Sequence, residues 1–306
     1  MLQFIFRRVL WGLAVVFAAM TFTFILTYVI PGDPAAQVAG PQASDREVNN
    51  MRVKLGLDQP VSVQYLRYMG NLLKGDLGRS WMFHRPVRDA ILGRLPASIL
   101  LGVTAGLIEL LVGCAVGIIS AIYRYKWPDR LSMVTSLILL SLPSFWFALI
   151  LLYAFGFLVP VFPLGGYGEL KHLVLPALAI GIPYSAWYAR MLRSATLEVM
   201  NEDYVRTAHS KGLASKTVFA RHVLRNALIP IVTMWGMDLG RFVGGLALVE
   251  VVFGWPGLGW QAVEAAKNLD VPLVMGSVLM VSLLMVVANL AVDVSYRWLD
   301  PRVTYN

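Results

Sequence analysis

One polar segment, residues 201–230, carries charged side chains in the spacing of a docking surface. Arg221 and Arg225 lie four residues apart, so in a helix their guanidinium groups share one face. Val218, Phe219 and Val223 supply apolar contact on the other sides. We predict that this segment docks on a partner and does not catalyse a reaction.

Two short helices joined by a glycine turn are expected to build the segment. The first begins at an Asn201 cap, with Glu202 and Asp203 at the positive end of its dipole, and stops at Gly212. The second runs from a Ser215 cap towards residue 226. A helix, a left-handed turn and a helix therefore present the basic side chains.

The chain offers no motif for catalysis, nucleotide binding or metal binding. Residues 212–217 end like a phosphate-binding loop, but the glycine before Lys216 is missing and no strand precedes them. There is no Gly-x-Ser-x-Gly turn, no His-Glu-x-x-His and no His-x3-His pair. Cys114 is the only cysteine, so it can form no internal disulfide and no cysteine metal set. Any energy for uphill transport must come from another subunit.

The composition is that of a membrane protein, because 58% of the residues are hydrophobic and only 14% are charged. A bilayer core of about 30 Å needs about 20 apolar helical residues. Six blocks are long enough with some tilt. They are residues 9–30, 97–123, 131–159, 173–191, 227–252 and 272–294. We predict an all-α protein with six transmembrane helices and a retained first helix.

Lysine and arginine in the short loops predict the orientation, because such residues resist translocation. Basic residues before the first block, between the second and third, between the fourth and fifth, and after the sixth all fall on one side. That side is the cytoplasm, and both termini are expected there. The net charge of +8 largely reflects this asymmetry, so a nucleic-acid partner is not expected.

Residues 31–96 form the one sizeable region expected on the external side of the membrane. Residues 45–55 and 61–73 have helical spacing and are separated by Gly56 and Pro60. We expect two parts in the chain. Residues 1–96 hold the first transmembrane helix and an external cap region, and residues 97–306 hold a core transmembrane domain that includes the 201–230 segment.

The sequence resembles the permeases of ATP-binding-cassette (ABC) importers, in particular the dipeptide, oligopeptide and nickel group. RTAHSKG followed by RHVLRNALIP is similar to their EAA-type coupling loop, although Arg206-Thr207-Ala208 replaces the general Glu-Ala-Ala and the Leu-Pro comes late, as Leu228-Ile229-Pro230. Further matching motifs span nearly the whole chain. They are Pro31-Gly-Asp-Pro34, Leu55-Gly-Leu-Asp-Gln-Pro60, Gly75-Asp-Leu-Gly78, Trp127-Pro-Asp-Arg130, Leu142-Pro143, Gly254-Trp-Pro-Gly-Leu-Gly259 and Asp300-Pro-Arg302.

The resemblance implies the type I ABC importer permease fold in the bacterial inner membrane. It also implies a second homologous permease, two cytoplasmic ATPase subunits that bind ATP and Mg, an external solute-binding protein and surrounding lipid. This chain would have no catalytic site, no cofactor and no metal. The residues expected to couple it to the ATPases are Arg206, Thr207, Ala208, Lys211, Gly212, Arg221 and Arg225.

Two charged residues inside the fifth apolar block, Asp238 and Arg241, are candidates for the translocation path. Each costs about 3 kcal/mol at mid-bilayer, so both are expected to pair or to face water or protein. Glycines at 236, 240 and 244 form a small-residue stripe that lets another helix approach. Two interpretations stay open, contact with a zwitterionic peptide and a structural i,i+3 ion pair at a subunit interface.

Three further residues, Ser141, Pro143 and Tyr184, are expected along the same path. Pro143, and Pro183 beside Tyr184, break backbone hydrogen bonds inside their helices, which favours either a gate or an ordinary kink. A glycine-rich loop with Gly254, Trp255, Pro256 and Gly257 is expected to contact the binding protein, with packing of its tryptophan as the alternative.

The function predicted from the sequence is import of short peptides driven by ATP hydrolysis in other subunits. A nickel or other small-solute importer of the same family is the first alternative. A passive channel or membrane scaffold is the second, and it would need no cytoplasmic ATPase.

Overall fold

The computed structural model describes the backbone of residues 2–29, 32–244 and 246–299. Within these ranges the side chains at 2, 4, 28, 29, 233, 237, 239–244 and 292–299 are not described. Throughout the described part the regular elements are helices, with one isolated β-bridge between Arg79 and Pro86.

Fifteen α-helices follow one another along these described ranges. The first eight are α1 (Leu2–Val29), α2 (Pro34–Ala39), α3 (Asp45–Leu55), α4 (Val61–Leu73), α5 (Val87–Ile122), α6 (Trp127–Ser141), α7 (Ser144–Leu152) and α8 (Leu170–Val199). The others are α9 (Asp203–Ser210), α10 (Ser215–Val218), α11 (Arg225–Ala227), α12 (Ile229–Gly244), α13 (Ala247–Val252), α14 (Leu258–Lys267) and α15 (Val271–Leu299). Two π-helical segments, Tyr153–Leu158 and Phe219–Leu224, extend α7 and join α10 to α11.

The helices predicted at residues 45–55 and 61–73 are confirmed with the same bounds as α3 and α4. Ser44 begins α3 with a capping box, in which its hydroxyl accepts from the Glu47 backbone and Glu47 accepts from the Ser44 backbone. Gly56 ends it at φ 71°, a left-handed conformation that costs glycine little. Local capping chemistry therefore sets these boundaries.

Among the described residues, three helical stretches are long and apolar enough to cross a membrane, namely Ile5–Thr27, Val87–Ile122 and Val271–Ala291. Trp127–Ser141 and Ser144–Leu158 add a fourth if this pair, bent by 102°, is counted as one broken span. The two other predicted blocks are helical as well, in α8 and in α12 with α13. α8 has 30 residues and carries charged side chains towards both ends, and α12 has 16 residues.

The chain divides into two compact units, and the first contains residues 1–98 and 256–287. In this unit α1 packs on α15 through Val16, Met20 and Phe24 against Met275 and Leu279. The side chain of Val286 lies where a Cβ on Gly12 would stand, so the two helices approach closely there.

A buried carboxylate, Asp270, fixes the loop before α5 to the start of α15. It accepts from the Ser80 hydroxyl at 2.5 Å and from the backbone amides of Trp81 at 3.2 Å and Met82 at 3.3 Å. It also accepts from the Leu273 amide at 3.3 Å, in the first turn of α15. Asp270 is fully buried, and these donors compensate for its desolvation.

The second unit contains residues 99–255 and 288–306, and in it α5 packs on α8. A Cβ on Gly113 would lie 2.8 Å from the Ser185 carbonyl, and one on Gly117 would lie 2.8 Å from the Ala189 carbonyl. From the other side, a Cβ on Gly181 would lie 2.8 Å from the Ala105 carbonyl. Only glycine allows this backbone contact, and the Gly113-x3-Gly117 spacing is the signal in the sequence that predicts it.

Candidate functional site

The basic segment forms a helical hairpin, residues 203–227, made of α9, the Gly212 turn and the helix from α10 to α11. Gly212 has φ 78°, and its amide donates to the His209 carbonyl at 2.9 Å. The Leu213 amide reaches back to the Ala208 carbonyl at 3.4 Å, which completes a Schellman motif. The left-handed stop predicted at Gly212 is confirmed.

The predicted capping residues of the hairpin were wrong by one position each. Glu202 occupies the cap position of α9, and Asn201 instead donates its side-chain amide to the Leu197 carbonyl at 2.9 Å. Ala214 precedes α10, so Ser215 is its first helical residue. Since neither cap position makes a side-chain hydrogen bond, the packing of the hairpin and not capping chemistry sets where these helices begin.

A small apolar core holds the two arms of the hairpin together. Val205 and Ala208 of the first arm pack against Val218 and Val223 of the second arm, and Phe219 lies beside them. The apolar contacts predicted for Val218, Phe219 and Val223 are therefore confirmed. Ala208 is only 5% exposed, so among the residues expected at the ATPase it supports the hairpin from inside. The other expected coupling residues are exposed, and they are Arg206, Thr207, Lys211, Gly212, Arg221 and Arg225.

The second arm of the hairpin is anchored on α8. Ala227 and Ile231 are fully buried against Tyr188 and Leu192 of that helix. This buried apolar contact joins the end of the hairpin to α8.

A polar cluster that the sequence analysis missed joins α8 to α5 and α6. Arg193 donates to Asp129 from Nε at 2.6 Å and from Nη2 at 2.8 Å. Asp129 also accepts from the Ser120 hydroxyl at 2.5 Å and from the Tyr125 amide at 2.8 Å. The motif Trp127-Pro-Asp-Arg130 contained this carboxylate, but nothing in its local spacing pointed to Arg193.

The cluster shifts both of its ionisable groups towards the charged state. Hydrogen bonding to Arg193, followed by that to Ser120 and Tyr125, holds the pKa of Asp129 well below its usual range although burial opposes this. The hydrogen bond to Asp129 raises the pKa of Arg193. Asp129 and Arg193 are therefore an ion pair at physiological pH.

The candidates for the translocation path lie in the second unit. Asp238 is half-buried, and the Tyr188 hydroxyl donates to it at 2.7 Å. Tyr184 is half-buried one helical turn before Tyr188. The side chain of Arg241 lies outside the described residues, so its pairing with Asp238 stays a prediction.

The kink predicted at Pro143 is a complete break in the helix. α6 ends at Ser141 and α7 begins at Ser144, with Pro143 in an extended conformation at ψ 133°. Ser141 is exposed, and its hydroxyl donates to the Leu137 carbonyl at 2.9 Å. Pro183, by contrast, lies inside the continuous helix α8.

In the predicted binding-protein loop, Gly254 is exposed at φ 56°, whereas Trp255 is 1% exposed. The Trp255 ring packs edge-on against Tyr167 with centroids 4.9 Å apart. Pro256 is half-buried and Gly257 is buried. The alternative in which the tryptophan packs inside the protein therefore describes Trp255, and Gly254 is the most exposed of the four residues.

Comparison with protein families gives two matches that cover almost the whole chain. Residues 113–305 match the binding-protein-dependent transport system inner membrane component, and residues 1–102 match the N-terminal part of such membrane components. The chain belongs to this family. It is therefore a permease of an ABC importer, a non-catalytic subunit of the inner membrane.

Among curated proteins, the permease is similar to the glutathione transport system permease protein GsiC. It is 38% identical over 305 residues to the protein from Escherichia coli O6:H1, with all of both chains covered. The proteins from Escherichia coli K12 and Salmonella paratyphi A are each 37% identical, again over the full length of both chains.

A solved structure supports the predicted fold. A chain of the MetNI methionine ABC transporter, in an inward-facing conformation, matches with a TM-score of 0.54 and 17% identity. The match covers 69% of the permease and 96% of that chain. The predicted type I importer permease fold is confirmed.

Proposed function

We propose that this permease imports short peptides, with a tripeptide of the glutathione type among its substrates. The observation that carries the proposal is the full-length likeness, at 38% identity, to permeases named for glutathione transport. In the proposed complex it pairs with a second homologous permease and receives its substrate from an external binding protein.

The chemistry of the second unit is consistent with a zwitterionic substrate. A peptide carries an ammonium group and a carboxylate, and both lose hydration when they enter a membrane protein. Asp238 offers a half-buried carboxylate oriented by Tyr188, which suits the ammonium group. In this proposal Arg241 serves the carboxylate end.

The hairpin is the proposed contact with one of two cytoplasmic ATPase subunits, which bind ATP and Mg. Its exposed cations Arg206, Lys211, Arg221 and Arg225 face the ATPase, and its apolar core keeps the two arms rigid. Closure of the ATPases on nucleotide then moves the hairpin, and α8 follows because Ala227 is buried against it. This arrangement requires the hairpin and both termini to lie in the cytoplasm.

Transport by the purified complex in proteoliposomes tests the proposal. The permease is reconstituted with the second permease, the ATPases and the binding protein, and uptake of labelled glutathione, trialanine, dialanine and Ni²⁺ is measured with ATP inside the vesicles. ATP-dependent uptake of at least one peptide, competed by the others, is expected. Uptake of Ni²⁺ alone would establish the alternative importer, and solute flux without ATP would establish a passive channel.

A further inference from the structure

One fully buried side chain, that of Tyr188 in α8, contacts both the anchor of the hairpin and a charged residue of the proposed translocation path. Its ring belongs to the apolar cluster with Leu192, Ala227 and Ile231, in which the end of the hairpin meets α8. Its hydroxyl donates to Asp238 Oδ2 at 2.7 Å. A single residue therefore joins the hairpin to the carboxylate.

The Tyr188 side chain has little room to turn independently of α8. A Cβ on Gly113 would lie 2.5 Å from the Tyr188 Cβ, so α5 lies directly against the base of the side chain. The ring above it is enclosed, because Tyr188 is 0% exposed. In such close packing a displacement of α8 carries the hydroxyl with it.

The helix that bears Asp238 is attached to a different neighbour. Trp235, three residues before Asp238 in α12, donates from Nε1 to the Gly106 carbonyl of α5 at 2.8 Å. Three residues are just under one helical turn, so this attachment lies close to Asp238. A movement of α8 relative to α12 would therefore change the hydrogen bond between Tyr188 and Asp238.

This hydrogen bond leaves Asp238 able to bind a second donor. An ionised carboxylate has about four acceptor sites, so it can accept from the tyrosine hydroxyl and from an ammonium group at the same time. A hydrogen bond to a charged acceptor is short and strongly directional. The hydroxyl therefore favours one orientation of the carboxylate.

We propose that Tyr188 is a positioning residue for peptide recognition, which its hydroxyl serves by orienting Asp238 and its ring by linking that orientation to the hairpin. The inference rests on the proposed function, in which Asp238 binds the ammonium group of the peptide. Tyr188 is fully buried, so it acts through Asp238 and not by contact with the peptide. Closure of the ATPases then changes the affinity of Asp238 for the peptide.

Peptide binding to the purified complex of both permeases and the ATPases, without the binding protein, tests this role. Titration calorimetry compares trialanine with N-acetyltrialanine, which lacks the ammonium group. Tyr188→Phe removes the hydroxyl and keeps the ring. Tyr153→Phe is the matched control, because Tyr153 belongs to the same unit and is 58% exposed. Each complex is measured without nucleotide and after trapping with ADP and vanadate.

The wild type and Tyr153→Phe should bind trialanine more tightly than N-acetyltrialanine. Tyr188→Phe should weaken the binding of trialanine about tenfold and leave that of N-acetyltrialanine unchanged. A general packing defect would weaken both peptides alike. Trapping with nucleotide should shift the affinity of the wild type for trialanine, and it should shift that of Tyr188→Phe by much less.

The same titrations separate failure of this inference from failure of the proposed function. A wild type that does not distinguish the two peptides would overturn the role of Asp238 in the proposed function, and the role of Tyr188 with it. A preference that Asp238→Asn removes but Tyr188→Phe retains would overturn the role of Tyr188 alone. Equal weakening of both peptides by Tyr188→Phe would show that the residue only packs. An undiminished nucleotide shift in Tyr188→Phe would overturn the link to the hairpin.

Discussion

Arg193 of α8 holds Asp129 of α6 through two parallel hydrogen bonds, from Nε at 2.6 Å and from Nη2 at 2.8 Å. The Asp129 side chain is 4% exposed and the Arg193 side chain 19%, so water screens this pair weakly. Arg193 lies on the same helix as Tyr188 and Leu192, the two residues that anchor the hairpin. The pair therefore fixes α8 to α6 close to the point where the hairpin packs on α8.

We expect Asp129→Asn to destabilise the permease by about 3 kcal/mol, because it leaves the Arg193 charge without its partner. Thermal unfolding of the purified protein in detergent measures the loss. Asp58→Asn removes an exposed carboxylate and serves as the control. Equal melting temperatures for the two variants would show that the pair contributes nothing to stability.

The contribution of this pair should also depend on pH. The pKa of Asp129 is lowered by folding, so the stabilisation is complete above the usual carboxyl pKa of about 3.9 and is lost as the pH falls from there towards the lowered value. The difference in melting temperature between wild type and Asp129→Asn should therefore narrow between about pH 5 and about pH 3. A difference that stays constant over this range would contradict the assignment.

Gly212→Val should uncouple ATP hydrolysis from transport while the protein still inserts into the membrane. No atom lies within 4 Å of a Cβ at this position, so the cost arises from the left-handed backbone, roughly 1 kcal/mol or more. The second arm of the hairpin would then change direction. Weak ATPase association, or hydrolysis that no longer responds to substrate-loaded binding protein, is the expected result.

Gly93→Ala is the control for adding a side chain, because a Cβ there also meets nothing within 4 Å and its backbone is helical. Normal transport and stimulated hydrolysis in Gly212→Val, at equal expression, would show that the geometry of the hairpin does not couple the complex.

Cysteine labelling in intact cells tests the proposed orientation. Ser62 and Ser215 are both exposed, and Cys114 is replaced first. A cysteine at 62 should react with a membrane-impermeant thiol reagent, and one at 215 should react only after the cells are opened. The opposite pattern would place the hairpin outside and exclude contact with cytoplasmic ATPases.

Exchanging Asp238 and Arg241 separates the two interpretations of these charges. If Asp238 and Arg241 bind the charged ends of the substrate, the exchanged protein should assemble normally. It should then change its preference between peptides with free termini and peptides with blocked termini. Loss of assembly in each single variant, restored by the exchange, would instead identify a structural pair. Peptide uptake and complex yield are measured together.

Local chemistry made part of the fold predictable. Ser44, Gly56 and Pro60 mark the ends of α3 and α4, and the lengths of apolar blocks gave the main helices. The contacts that join distant segments were not predictable. Asp129 and Arg193 are 64 residues apart, and Ser80 and Asp270 are 190 apart, so no short-range spacing encodes either contact.

In the hairpin, too, some features were predictable from the local sequence and others were not. Its left-handed glycine and apolar core follow from residue types within a few positions, and both are present. The inward position of Ala208 did not follow, because a small residue fits a surface or a core equally well. Only its packing against Val218 and Val223 decides between them.

The backbone contact between α5 and α8 depends on the number of residues in this stretch of α5 and not on its exposed side chains. Inserting or deleting one residue between Ala105 and Gly117 would turn the rest of α5 by about 100° and carry Gly117 away from Ala189. Substitutions on the exposed faces leave the contact intact. Among related permeases, we therefore expect this stretch of α5 to vary in composition but to be free of insertions and deletions.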